Sequence, residues 1–436
     1  MTHRLAILLA LALWPAAASA QQVQLLSVEE ATTEALTNSP LIAAARARAE
    51  AAQDTARALR GRMLPGVHVS DEHDRYREPW NVKFDLGIPN VPAPSIQARD
   101  LNTNTFVAAV DQPLLGLARL SQDYASLSSA AEAAQQSVQA VEAGVREEVE
   151  TGLLRLFEAR ALADTAVASE RQLGEQLEVM RAKLKTGVAT NADVLRLDVA
   201  VANAQQQEIQ ARAQEQVSRA LLLAELGRRQ DDASVDFAEP RALEDTAEQA
   251  PELRAAVEQA VAHRPEVAAA QLSTQSAHQR TRARTLSLLP DVNLEAAYIH
   301  IHGEALAPED SAYVGLKASW AVFEWGATFF DQRAAAEQAV AAEADQEGTR
   351  RRVGAEVSVR LAQLKAAVNA VSVARTAIAS AEEAFRVTQE LVKAGSATTT
   401  DLLDSQSALT QARLNLVRAR YEDAIARVAL ARARGE

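Results

Sequence analysis

Few residues of this chain have the types and spacing that chemistry requires. His300 and His302 would share one side of a strand, a spacing that could bind a metal ion, but no third ligand stands near them. The chain contains no cysteine, which excludes thiol catalysis, cysteine zinc sites and disulfides. It also lacks a nucleophile–base pair and a phosphate-binding loop. We therefore predict no catalytic residue, no metal site and no cofactor, and we do not expect an enzyme.

Three aspartates stand at positions that indicate helix starts. Asp193 follows Thr190 by three residues, and Asp401 follows Thr398 by the same distance. A threonine with an acid three residues later is typical of the first turn of a helix. Asp404 lies three residues beyond Asp401, so both side chains would share a helix face.

The elements that carry these aspartates are two tracts without proline. The tracts run from Leu114 to Glu239 and from Glu309 to Glu436, and apolar residues recur in them at spacings of three and four. Gly187 interrupts the first tract and Gly395 the second, each just after a lysine, as at a helix C-terminus. Each tract therefore predicts a helical hairpin.

The first arms of these hairpins are exceptionally long. They run from Gly116 to Gly187 and from Gly326 to Gly395, or roughly 100 Å of helix each. The return arms, about Thr190–Gly227 and Thr398–Arg434, are half as long. Such lengths do not fit an ordinary globular domain.

The segments before each hairpin show a period of two, which is typical of strands. From Ala312 to Val322, even positions are apolar and odd positions mostly polar, and 292–298 form a weaker partner strand. In the first half the equivalents are 67–71 and 103–111, separated by a long loop from about Tyr76 to Leu101. Three tryptophans lie in or beside these strands and suit the aromatic girdle of a membrane barrel: Trp80, Trp320 and Trp325.

Composition agrees with a mainly α protein that has a small β part. Of 436 residues, 48% are hydrophobic and only 4% aromatic, with 16 Gly and 13 Pro. The net charge of −13 argues against nucleic-acid binding. Residues 1–20 predict a signal peptide cut before Gln21, because a basic start and a short apolar core precede Ala18-Ser19-Ala20.

The rest of the chain is predicted to be a tandem duplication. Pro40 and Pro65 are 25 residues apart, as are Pro265 and Pro290, whereas Gly187 and Gly395 differ by 208. The first repeat covers 21–228, with a helix, a β-hairpin at about 67–111 and a helical hairpin at about 114–228. A linker or equatorial segment covers 229–250. The second repeat covers 251–436, with a helix, a β-hairpin at about 291–323 and a helical hairpin at about 326–434.

The ordered, duplicated set of motifs resembles the TolC-type outer-membrane efflux protein family. The resemblance includes the strand-to-helix corners 111–116 (DQPLLG) and 321–326 (AVFEWG) and the two hairpin tips. It implies a homotrimer whose 12-stranded β-barrel in the outer membrane continues into an α-helical tunnel in the periplasm. It also implies the function, an exit duct that works with a periplasmic adaptor and an inner-membrane transporter in efflux or type I secretion.

The same resemblance suggests roles for the hairpin tips. Asp401, Asp404 and Asp193 match family acids of the periplasmic gate, while Gly187 and Gly395 mark the tips that contact the adaptor. The family's gate-locking Tyr and Arg are replaced here by Val392 and Ala397. One alternative is a secreted or surface coiled-coil structural protein, such as an adhesin stalk, but the duplicated β-hairpins argue against it.

Overall fold

The computed structural model describes residues 24–84, 87, 93–240 and 251–436. The predicted signal peptide, residues 1–20, lies outside the described residues. The described chain is mainly helical with a smaller sheet part, as predicted.

The elements follow the same order in both halves of the chain. The first half contains β1 (Gln24–Leu26), α1 (Val28–Asn38), α2 (Pro40–Gly61), β2 (Gly66–Arg75), β3 (Trp80–Lys83), β4 (Ser95–Pro113), α3 (Gly116–Lys185) and α4 (Asn191–Glu225). After β5 (Val235–Phe237), the second half contains α5 (Leu253–His263), α6 (Pro265–Leu286), β6 (Asp291–Glu304), β7 (Asp310–Ser319), α7 (Ala327–Lys393) and α8 (Thr399–Arg434). The long helices α3 and α7 have 70 and 67 residues and end two residues before the glycines that predicted their ends.

The strands differ from expectation at two places. The region predicted as a loop from Tyr76 to Leu101 contains β3 and the beginning of β4, which pair with each other between Trp80 and Arg99. In the second half, the alternation continues to Val322 but the strand ends at Ser319, because its partner β6 begins opposite it at Asp291. Val322 is instead 75% exposed beyond the strand.

The described residues divide into two compact units, each built from segments of both halves. The first unit draws on the described residues within 1–37, 148–246 and 372–424. Its apolar core joins the ends of α3 and α4 through Leu173, Leu177 and Leu197. The parallel pair β1–β5 also belongs to this unit, and β5 lies inside the segment predicted as a linker.

The second unit draws on the described residues within 38–147, 247–371 and 425–436 and contains the main sheet. The strand order is β2-β4-β6-β7, all antiparallel, with β3 added beside β4. Among the helices of this unit, Arg264 is almost fully buried and pairs with Glu266 at 2.8 Å and with Glu356. Arg432 binds the same two carboxylates, so the buried charge is fully paired.

Candidate functional site

The tip between α3 and α4 is a glycine turn. Gly187 has a φ of +76°, a left-handed conformation that L side chains rarely adopt. Its N–H donates to the carbonyl of Leu184, and the N–H of Val188 donates to the carbonyl of Lys183 at 2.9 Å. No other group lies within 4 Å of the position of a Cβ at Gly187, so backbone conformation alone demands glycine.

The tip between α7 and α8 repeats this geometry. Gly395 has a φ of +73°, and the N–H of Ser396 donates to the carbonyl of Leu391 at 2.8 Å. Val392, three residues before this glycine, is half-buried and packs against Phe385 and Leu402.

Reciprocal hydrogen bonds begin each return helix. The Asp193 carboxylate accepts from the N–H and hydroxyl of Thr190 at 3.1 and 2.6 Å, and the Asp193 N–H donates back to that hydroxyl. Asp401 and Thr398 form the same bonds at 2.8 and 2.7 Å. Both aspartates therefore cap helices, as their spacing after threonine predicts.

These bonds also fix the charge of the two aspartates. Donation from the Thr190 hydroxyl and N–H lowers the pKa of Asp193, and donation from Thr398 does the same for the pKa of Asp401. Both carboxylates are therefore ionised at neutral pH.

The structure connects the two tips through polar side chains. The Arg196 guanidinium donates to the hydroxyl of Thr400 at 3.2 Å, and the Thr399 side chain contributes to the lowered pKa of Asp193. These contacts join the starts of α4 and α8. Sequence analysis missed them, although Arg196 stands three residues after the capping acid, where a helix presents the same face.

Asp404 differs from the other two aspartates. It is exposed and forms no hydrogen bond or ion pair with the described residues of the chain. Between it and Asp401, Leu402 is buried against Phe385 and Leu409, while Leu403 packs on the core of α3 and α4. The apolar face thus anchors α8 and leaves Asp401 and Asp404 together on the open face.

The second candidate site is the sheet of the other unit, which has one apolar face. Register places Leu294 opposite Leu316, Ala296 opposite Val314, and Val67 opposite Val110. Residues directly opposite in an antiparallel pair point to the same side, so the apolar positions of the strands form one surface. Val314 is 76% exposed and Leu316 69% exposed in the single chain.

The other face of the sheet is polar on its outer strands β2 and β7, while Val107 lies opposite Ile299 at its centre. This face carries polar side chains at the positions that alternate with the apolar residues, namely Lys317, Tyr313, Glu72 and His68. The Tyr313 hydroxyl donates to Glu295 at 2.6 Å, and His68 contacts Asp111 at 2.7 Å. A sheet with exposed apolar residues on one face and polar outer strands on the other suits a boundary between lipid and water.

The three tryptophans lie at opposite ends of this sheet. Trp80 is in β3, opposite Arg99, whereas Trp320 and Trp325 follow the last residue of β7. The indole N–H of Trp320 donates to the Leu288 carbonyl at 3.2 Å, and Trp325 is 88% exposed with its ring 5.1 Å from that of Phe323.

The histidine pair engages carboxylates of its own strand pair. His300 contacts Asp310 at 2.9 Å, and His302 contacts Glu309 at 3.6 Å. The described residues contain no group of three or more potential metal ligands. No helix in the described part of the chain has both the length and the apolar character to cross a bilayer.

Comparisons with known proteins cover nearly the whole described chain. The family model of the outer membrane efflux protein matches residues 31–228 and 256–436. The outer membrane efflux protein BepC of Brucella suis biovar 1 (strain 1330) is 23% identical over 378 residues, which cover 85% of this chain and 80% of BepC.

Solved structures share the architecture. The outer membrane protein VceC of Vibrio cholerae is 18% identical with a TM-score of 0.78, covering 94% of this chain and 96% of VceC. A membrane protein of Pseudomonas aeruginosa is 16% identical with a TM-score of 0.79, covering 94% and 93% of the two chains. At these identities the likeness is one of fold.

Proposed function

The chain belongs to the outer membrane efflux protein family and is an outer-membrane protein, and from this we propose that it forms the exit duct of a tripartite efflux or type I secretion system. In this role it passes substrates from an inner-membrane pump across the periplasm and the outer membrane. The observation that carries the proposal is the sheet, which has one exposed apolar face and two outer strands that each pair on one side only.

That sheet supports a trimer. Four long strands are too few for a closed membrane barrel, which needs at least eight, and open edges cannot face lipid. Three copies related by a symmetry axis would supply 12 strands and leave no edge. Val314, Leu316 and their neighbours would then face lipid, and Lys317 would face the lumen. Trp80 and the Trp320–Trp325 corner would lie at the two membrane surfaces, as parts of an aromatic girdle.

The helices form the periplasmic part of the proposed duct. The repeated element order supports the predicted duplication, with 21–228 and 251–436 as its two repeats and 229–250 between them. Three copies of α3, α4, α7 and α8 would line a tunnel, which would bury the apolar stripes of helices too long to be stable alone. We also propose that residues 1–20 are removed before Gln21 during export.

The tips form the proposed periplasmic entrance. Three copies would bring Asp401 and Asp404 around one axis, with Asp193 on the adjoining hairpin, where their charges would attract cations and repel anions. The Arg196–Thr400 contact would hold the two tips of each copy together, at a site without the family's Tyr and Arg links. The turns at Gly187 and Gly395 would contact the periplasmic adaptor.

The matching family consists of outer membrane efflux proteins, and similar solved structures are outer-membrane channels, which fits a conduit and not an enzyme. The alternative of a coiled-coil adhesin is not favoured, since the family model covers the β-hairpins as well as the helices. The partners of the proposed assembly are two further copies, an adaptor, a transporter and outer-membrane lipid.

The proposal is tested with the exported protein from native cells. We expect the mature chain to begin at Gln21, to co-fractionate with outer membranes, and to have the mass of a trimer in detergent. In planar bilayers the purified trimer should conduct ions. A monomer recovered in the soluble periplasmic fraction, or a trimer that never conducts, would contradict the proposed duct.

A further inference from the structure

The two edge strands of the sheet have matching lengths and opposite directions. β2 and β7 each contain 10 residues, and each pairs on one side only within the described chain. Because all four strands are antiparallel in the order β2-β4-β6-β7, β7 of one copy would run antiparallel to β2 of another placed beside it. The two edges can therefore pair directly.

The joint between β4 and β6 shows how one hairpin of this chain pairs with the next. Asp111 lies opposite Glu295 there. Strand pairing makes Ser319 the β7 equivalent of Asp111, because Gly66 at the start of β2 pairs with Asp111 and Asp291 at the start of β6 pairs with Ser319. The corner that follows is two residues longer after β7, so this equivalence differs by two from the alignment of the corners 111–116 and 321–326. The equivalent of Glu295, four residues into its strand, is Ser70. The same register between copies therefore places Ser319 opposite Ser70 of the neighbouring copy.

This register joins like faces. Even positions of β7 carry its apolar residues, and odd positions of β2, such as Val67 and Val69, carry those of β2. An even residue of β7 falls opposite an odd residue of β2 in this register, so the apolar surface continues without a break. A shift of one residue would place the apolar face of one copy beside the polar face of the next.

Charge on the polar face supports the same alignment. Two residues before Ser319, Lys317 falls opposite Glu72 of the neighbouring copy. Neither side chain forms a hydrogen bond or ion pair within the described part of its own chain, and both are exposed there. Opposite charges directly across an antiparallel pair stabilise it.

The corner after β7 also has room for a neighbour. The corner after β4 is held from both sides, since Gln112 donates to the Met63 carbonyl at 3.0 Å and the Leu114 N–H donates to the Val292 carbonyl at 2.8 Å. The corner after β7 is held on its β6 side by the Trp320–Leu288 bond, while Phe323 remains 72% exposed. The start of β2 from the next copy would occupy the position that Val292 occupies at the first corner.

We propose that β7 of each copy pairs with β2 of the next in the register Ser319 opposite Ser70, with an ion pair between Lys317 and Glu72 across the joint. The inference rests on the proposed trimer and adds the residues that select and align its subunits. The partner is a second copy of this chain.

Because the chain has no cysteine, introduced cysteines report the register directly. The variant S319C/S70C should form intermolecular disulfides and yield a covalently linked trimer, since opposite Cα atoms lie about 4.5–5.5 Å apart. Within one chain these two positions are separated by three strand intervals of about 4.8 Å, too far for a disulfide. The single variants S319C and S70C serve as controls and should not cross-link.

Two further pairs, S319C/H68C and S319C/E72C, report slippage by two residues in either direction. The trimer is measured separately by its mass in detergent under reducing conditions. A trimer in which one of these pairs cross-links better than S319C/S70C would overturn the register while leaving the proposed duct intact. If no variant or wild-type sample forms a trimer, the proposed function itself fails.

A charge exchange tests the ion pair. K317E places two carboxylates across the joint, and E72K places two ammonium groups there, so each should lower the fraction of trimer that survives mild detergent denaturation. The double variant K317E/E72K should restore most of that loss. Equal or greater loss in the double variant would refute the pairing of these two residues.

Discussion

Asp401 and Asp404 stand three residues apart but have different contacts. Asp401 is bonded to Thr398 at the start of α8, whereas Asp404 is exposed and forms no bond with the described residues. The first contributes to helix stability through its cap, and the second contributes only charge. This difference separates the gate hypothesis from simple capping.

We expect Asp404→Ala to reduce the cation preference of the reconstituted channel and its block by multivalent cations, with an unchanged melting temperature. Asp401→Ala should lower the cation preference and also the melting temperature, because it removes a charge as well as a helix cap. Ion selectivity in bilayers and thermal melting are measured on the same preparations. Selectivity that stays at the wild-type value in Asp404→Ala and in the double variant Asp401→Ala/Asp404→Ala would refute the proposed placement of these carboxylates around the axis.

The lowered pKa of Asp401 gives its cap a definite pH dependence. A carboxylate with a lower pKa in the folded state stabilises the fold above its unfolded pKa, near 3.8, and this contribution is lost as pH falls through the folded pKa. The melting temperature of Thr398→Val should therefore lie below that of wild type at neutral pH, and the gap should narrow below about pH 4. Thr376→Val, which removes a hydroxyl bonded only to the Ser372 carbonyl, is the control. A difference in melting temperature that stays the same at all pH values would contradict the stabilising role of the ionised Asp401 cap.

At the scale of elements, the tips require glycine for a backbone reason only. Gly395 has open space around it but a φ of +73°, whereas Gly174 has equally open space inside α3. Gly395→Ala should destabilise by about 1–2 kcal/mol, because an L residue is strained in that conformation. Gly174→Ala should stabilise by about 0.5–1 kcal/mol, because alanine favours helix. Denaturant unfolding compares the two, and stabilisation by both would show that the tip is not left-handed.

The two faces of β7 give a matched pair of substitutions. Val314→Arg places a charge on the apolar face, where a lipid-facing arginine costs about 2–4 kcal/mol near the membrane midplane. Tyr313→Arg places the same charge at the next residue on the polar face, within reach of Glu295. We expect the first to reduce the yield of assembled trimer in outer membranes strongly and the second only slightly. Equal losses would show that the faces are assigned the wrong way round.

Sequence alone located the elements whose signals are local. The ends of α3 and α7 follow from Gly187 and Gly395, and the hairpin β6–β7 from its alternation, because caps and period two depend on neighbouring residues. The sequence did not predict β3 and β5, because strands of 4 and 3 residues are too short to show a period. The alternation beyond Ser319 predicted a longer strand than the structure has. A strand also needs a pairing partner, and β6 begins opposite Ser319.

At the scale of the whole molecule, long-range polar contacts were the least predictable. Arg264 looks like one of many arginines in the sequence, yet it is buried among carboxylates that lie 2 and 92 residues away. The Arg196–Thr400 contact likewise joins residues 204 positions apart. Such contacts depend on how the helices pack, and a single sequence carries no local sign of them.

The open sheet has a consequence for the life of the protein before it reaches the membrane. A newly exported copy would present Val314, Leu316 and two unpaired strand edges to water, a combination that promotes aggregation. In the proposed trimer both features are covered only when three copies associate, so we expect the rate of assembly to rise with the local concentration of the chain.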